Sequence, residues 1–372
     1  MTFLLKYWYN IENVSQTIQP LCRCMKWFGF MPFTLVLRSE TPPTTPALGE
    51  PRPLLVDLVM HPGDVLFLIG WQLYIGHMYF TDWIYATLEM PVSKIMICFT
   101  ITLYFVQAAV LCSVQLLVAF SKAKIMRTLR LLEFTDDLLE HLSAGVNHRQ
   151  QHLGSVLLIL GSIICTTITF VTQWVLTKLF MDHISDLWLK FYNPMAVWYA
   201  DALFSVQVCS LVTFIGGLLA FRSRYRKLNE FVCTHFNQQT ESLNDEVVHR
   251  YLKCVAVCHD ALTDAVELFC NTFSSLVVFA CFTYMLFNIF SMFAIGALMS
   301  RPSINVLFVT LFYCVSDCLF SLHIIPIMKL GSDVRTEGTR MAVLVHRTIN
   351  ETPLSVNAIE QVNVFSGNKY VP

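Results

Sequence analysis

The stretch LFCNTFSSLVVFACFTYMLFNIFSMFAIGALMS at 268–300 runs for 33 residues without a charged side chain. A helix needs about 20 apolar residues to cross a ~30 Å hydrocarbon core, so this run is more than long enough to span a bilayer. Directly before it, VVHRYLKCVAVCHDALTDAVE at 247–267 keeps Val248, Leu252, Val255, Leu262 and Val266 at helical spacing, and no proline or glycine interrupts it. Together the two predict one helix over about 245–298, some 80 Å long at ~1.5 Å per residue. Its apolar half lies in lipid and its polar half projects from the membrane.

Five further apolar runs share this character: 65–81, 95–121, 150–177, 191–221 (interrupted by Asp201) and 302–328 (interrupted by Asp317 and His323). Backbone polar groups in lipid must pair within the segment or within a closed barrel. Barrel strands are only about 9–11 residues long and alternate in polarity, so these runs read as helices. The expected fold is an all-α polytopic membrane helical bundle with six spans. Composition agrees: 55% of the 372 residues are hydrophobic and 14% charged, with a net charge of −1. Soluble domains carry about 25% charge. A disordered chain, a basic nucleic-acid binder and an ordinary cytosolic enzyme are excluded.

Lys and Arg set the orientation. With the N-terminus inside, 21 of the 25 fall on the inner segments, several of them directly after spans, as at Lys122, Lys124, Arg222, Arg224, Arg226 and Lys227. The positive-inside rule then puts both termini in the cytoplasm; the plasma membrane is the expected location. The expected organisation is a cytoplasmic N-terminal segment and Pro-rich linker (1–53), a six-span bundle (54–330) with cytoplasmic helices at 122–149 and 222–267, and a cytoplasmic C-terminal tail (331–372). LRLLEFTDDLLEHL at 129–142 has the helical period, whereas RSETPPTTPALGEPRP at 38–53 holds five prolines that preclude a helix. PLCRCMKWFGFMPF at 20–33 suits either the inner membrane surface or a seat under the bundle.

No GxSxG, HExxH or Walker sequence occurs, and no cofactor or metal motif. The chain is therefore not expected to be an enzyme. His259, Asp260, Asp264 and Glu267 read as the polar face of a helix. The 13 cysteines lie mostly in apolar runs, where they act as small hydrophobes. An acid inside an apolar run is a functional candidate, which singles out Asp317. Aromatic and amide side chains at plausible depth complete a candidate small-molecule site: Trp71, Tyr74, Tyr104, Gln107, Gln173, Trp174, Gln207 and Tyr313.

FGFMPF at 28–33, the long polar helices after the second and fourth spans, and CHDALTDAVELFCNTFSSLVVF at 258–279 resemble the insect gustatory receptors. The resemblance covers most of 20–330. It implies a ligand-gated cation channel subunit, a homo- or hetero-tetramer with related receptor subunits, and a small-molecule tastant held in an outward-facing pocket. The family has seven spans, with a final pore helix carrying Thr-Tyr and Gln-Phe. After Met328 this chain shows no further apolar run and no such signature, so the pore span is expected to be missing. A non-conducting partner subunit and a small-molecule transporter are the competing functions. Neither nucleic acid nor a cofactor is expected as a partner.

Overall fold

The computed structural model describes residues 11, 13–37, 56–88, 94–181, 194–238, 245–300 and 304–351. The helices are α1 (Val14–Trp27), α2 (Pro62–Leu88), α3 (Lys94–Phe120), α4 (Lys122–His141), α5 (His148–Met181), α6 (Pro194–Gln238), α7 (Asp245–Ser300) and α8 (Ile304–Glu351). The molecule is an all-α polytopic bundle, and the six expected spans fall on α2, α3, α5, α6, α7 and α8. Among the described residues, His148–Thr172, Ser205–His235 and Arg250–Ser300 are long and apolar enough to cross a membrane. Ala108–Phe120 and Lys122–His141, bent by 61°, add a fourth crossing if read as one broken span. Leu157, Ile164, Met292, Phe293 and Met299 stand exposed on α5 and α7. Large apolar side chains in that number suit lipid, not water.

The expected long helix is present, as 56 unbroken residues. Two features differ from expectation. Pro326 stands near the end of the apolar run 302–328, where it would suit the last turn of a span, yet it lies inside a 48-residue helix that continues across 330 to Glu351. An interior proline removes one ladder bond and crowds the preceding turn. Packing of α8 against α6 and α7 holds the helix together around it. Arg222 and Asp333 are 3.2 Å apart. Asn229 donates to the Glu337 carbonyl at 2.9 Å and to its carboxylate at 2.8 Å. The second difference is a two-stranded antiparallel sheet, β1 (Thr34–Leu37) with β2 (Val56–Val59), running from Thr34 opposite Val59 to Leu37 opposite Val56. Strands of four residues are too short to announce themselves by alternation. Residues 38–53, the Pro-rich linker, lie outside the described residues.

Of the two places the sequence left open for the N-terminal segment, the structure shows the seat against the bundle. Helix α1 packs against α4, α5 and α6, not along a membrane surface. Leu21, Met25, Phe30, Met31 and Phe33 are buried. The last carbonyls of a helix have no intrahelical partner, and here other helices supply one. Trp71 Nε1 donates to the Trp27 carbonyl at 3.3 Å, and Gln115 Nε2 to the Phe28 carbonyl at 3.1 Å. Gly29 has φ +72°, and a Cβ there would stand 2.8 Å from the Trp71 ring. Only glycine meets both demands, which explains the FGF of the motif. Lys26 Nζ reaches Asp64 at 2.7 Å and Thr34 Oγ1 at 2.5 Å. Asp64 also accepts from the His61 amide at 3.2 Å, closing the first turn of α2. Burial of Asp64 is opposed by these hydrogen bonds and by the Lys26 charge, which together hold the carboxyl below its ordinary value.

At the polar end of the bundle Arg224 is fully buried. Its Nε and Nη2 donate to the two oxygens of Asp136 at 2.8 and 2.6 Å, and Nη1 to the Ala220 carbonyl at 2.9 Å. Gln151 stands at 3.5 Å from Nη1 and donates to Ser223. The network joins α4, α5 and α6. Asp136→Asn leaves a buried guanidinium uncompensated. It should destabilise the protein in detergent by about 3–5 kcal/mol, while an apolar pair at both positions restores most of the loss. Thermal unfolding of the purified variants checks both. Ser15 Oγ of α1 donates to Glu133 of α4 at 2.6 Å. Burial raises the Glu133 carboxyl; the Ser15 bond opposes this, and the Asp137 and Asp136 charges add to it. The folded protein thus holds this proton more tightly than the unfolded chain does. Its stabilising contribution is full below the ordinary glutamate range and is lost as pH rises through the raised value. Glu133→Gln should raise neutral-pH stability and flatten that dependence in melts run from acid to neutral pH.

Candidate functional site

Helices α1, α4, α5, α6 and α7 enclose a cavity of about 510 Å³, within the usual range for small-molecule sites. One wall carries the pair Gly216–Gly217 of α6. A Cβ at Gly216 would come within 2.6 Å of Leu21 Cδ1, and one at Gly217 would strike the Phe269 ring. The two glycines let α1 and α7 approach α6 on adjacent sides, as small residues do at close helix crossings. Phe269 stacks on Phe214 at 5.2 Å between centroids and meets Phe221 at 5.3 Å and Phe273 at 4.9 Å. These rings close the apolar end.

The hydroxyls on the wall are turned back onto their own helices. Thr128 donates to the Lys124 carbonyl at 3.0 Å, Ser155 to that of Gln151 at 3.1 Å, Thr213 to that of Cys209 at 3.0 Å and Thr272 to that of Leu268 at 2.8 Å. With their protons committed, they present mainly carbon to the cavity. The opposite end is charged. Arg226 Nε and Lys227 Nζ share the carboxylate of Glu230 at 3.0 and 3.1 Å, leaving one positive charge in excess. The start of α5 meets the same end, where Asn147 Oδ1 accepts from the Gln150 amide at 3.0 Å.

Of the nine residues singled out in the sequence, the five with described side chains, Trp71, Tyr74, Trp174, Gln207 and Asp317, do not line this cavity. Trp71 and Tyr74 lie together on α2, ring to edge at 5.5 Å, with Trp71 engaged by the α1 terminus. Trp174 stacks on Phe170 at 6.2 Å. Gln207 is buried, and its carbonyl accepts from Ser210 at 2.6 Å. Asp317 on α8 has a buried Oδ1 without a hydrogen-bond partner among the described residues. Its carbonyl accepts from Ser321, whose hydroxyl oxygen also lies 3.0 Å from the Tyr284 hydroxyl. The side chains of Tyr104, Gln107, Gln173, Tyr313 and Asp201 lie outside the described residues. His259 does not sit on a polar face as expected. It is buried, 5.8 Å from the Tyr225 ring and 3.4 Å from the Gly338 carbonyl, because α8 covers that side of α7. Among the described residues, no three His, Cys, Asp or Glu side chains cluster as a metal site.

The profile of the 7tm Chemosensory receptor family matches residues 18–368. The chain belongs to that family. This chemosensory receptor is thus a multi-pass membrane protein from a family of receptors for small chemical ligands, not a family of enzymes. No curated protein matches it in a sequence search. The match to the receptor family takes in α1 from Ile18 onward, so the buried N-terminal helix is part of the receptor and not an appendage. The cavity residues were missed in the sequence because they look like ordinary core. The one signal for them was the Gly-Gly pair inside an apolar run, which marks a close helix approach.

Gly217→Ala should displace the Phe269 ring, lower thermal stability and distort the apolar end of the cavity. Gly154→Ala, on a cavity wall where a Cβ meets nothing within 4 Å, should leave stability unchanged or raise it by up to about 1 kcal/mol through helix propensity. Paired melting curves separate the two.

Proposed function

We propose that this receptor is a gustatory receptor, a ligand-gated cation channel subunit that responds to small-molecule tastants. The family match over 18–368 carries the reading, and the FGFMPF and CHDALTDAVELF stretches narrow it towards taste. The receptor sits in the plasma membrane with both termini in the cytoplasm, a reading supported by the placement of 21 of its 25 Lys and Arg. It works as a homo- or hetero-tetramer with related subunits, meeting them through the polar extensions of α6, α7 and α8. Tastant binds among Trp71, Tyr74, Tyr104, Gln107, Gln173, Trp174, Gln207, Tyr313 and Asp317. Within this set Asp317 supplies a buried carboxylate oxygen that no described side chain engages.

Current recording in cells expressing the chain alone, and beside a related full subunit, tests this. A tastant panel should evoke cation current in at least one of the two conditions. Trp174→Ala and Asp317→Asn should shift or abolish the response without changing surface expression. Surface-expressed protein that neither binds nor responds in either condition would sink the reading. A glycan on Asn13 or Asn350, each in an N-x-S/T sequence, would overturn the orientation.

A further inference from the structure

The cavity beneath the glycine pair is built lengthwise for an amphiphile. Its apolar end, at Leu21, Phe269 and Phe273, lies level with Gly216–Gly217; its charged end lies at Arg226 and Lys227. From Gly217 to Lys227 the rise along α6 is about 15 Å. Between those points the charge-free part of α6 ends, at Phe221 followed by Arg222. The cavity therefore straddles the level at which the bilayer's apolar core gives way to water. Its polarity changes in the same direction and at the same depth as that of a lipid in the adjacent leaflet. The charged end favours an anion on two independent counts. Two cations share one carboxylate, and the N-terminus of α5, capped by Asn147 and with the positive end of its dipole, faces the same space. The hydroxyls of the wall are committed to their own backbone, which suits a hydrocarbon chain better than a sugar or a polar tastant.

We propose that this cavity binds an acyl chain bearing an anionic headgroup, with the chain against Leu21, Leu132 and Phe269 and the headgroup at Arg226 and Lys227. The site is separate from the tastant residues, and the inference holds whether or not the chain conducts. An occupant wedged between α1 and the bundle makes the seat of α1 sensitive to the lipid around the receptor.

The test uses the purified full chain in neutral detergent with three photoreactive probes, each carrying a diazirine on its acyl chain: oleate, phosphatidylglycerol and phosphatidylcholine. Cross-linked peptides are mapped by mass spectrometry. The expected result is labelling of inward residues of α1, α4 and α7 by an anionic probe, severalfold above phosphatidylcholine. Oleate labelling would assign the ligand to free fatty acid and phosphatidylglycerol labelling to a membrane phospholipid; either sustains the proposal. Labelling confined to outward residues such as Leu157 and Ile164, or equal labelling by the neutral lipid, overturns it. Gly154→Leu, which places a side chain in open cavity space, should abolish inward labelling. The Arg226→Gln, Lys227→Gln double variant should keep some labelling and lose the anionic preference. The wild-type labelling map decides between these outcomes even where a variant fails to fold.

Discussion

A guanidinium with no exposure to water is tolerable only where every direction of its charge is answered. Arg224 meets this condition through the two oxygens of Asp136 and the Ala220 carbonyl. Desolvating each ion costs several kcal/mol, and the bidentate geometry offsets that cost only while α4 and α6 keep one rotation and one height relative to each other. Gln151, within reach of Arg224 and bonded to Ser223, extends the demand to α5. Three helices that lipid alone would let slide are thereby held in register. The walls of the cavity are the neighbouring turns of these same helices, so its shape follows from the ion pair.

The N-terminal helix depends on that register in turn. Leu21 fits against Gly216 only if α6 presents its glycine face. Tryptophan and glutamine side chains of α2 and α3 complete the last carbonyls of α1. Lys26 then ties the end of α1 to β1 and to the first turn of α2. Each contact is modest, but they involve different partners and meet at one short segment. The result is a helix that belongs to the core although its sequence mixes charge and aromatics like a surface piece.

Much of the architecture was legible in the charge-free runs because lipid forces a simple rule: a long apolar segment must satisfy its own backbone. The 56 residues of α7 were foreseeable for that reason, as was the helical character of α4. What sequence could not give was direction. Arg224 sits among Arg222, Arg226 and Lys227 and reads as one more cytoplasmic charge, yet it alone of the four is fully buried. His259 reads as polar face and lies inside, because the helix that covers it begins some forty-five residues later in the chain. Pro326 reads as an end and is an interior residue, since tertiary packing outweighs one lost hydrogen bond. The cavity is harder still to read, because it is enclosed by five helices, two of which seat closely against the glycine pair of a third.

The place of α1 also has a consequence for how the protein is made. Its Cys24 thiol rests 3.0 Å from Cys209, a contact across 185 residues of chain. At about 5–20 residues per second, roughly ten to forty seconds pass between synthesis of the first partner and the second. Through that interval α1 exists without the part of its surface that α6 supplies. A helix made before its partners is thus among the last to be seated. Its arrival at Gly216 therefore reports that the helices before and around it have already been placed correctly.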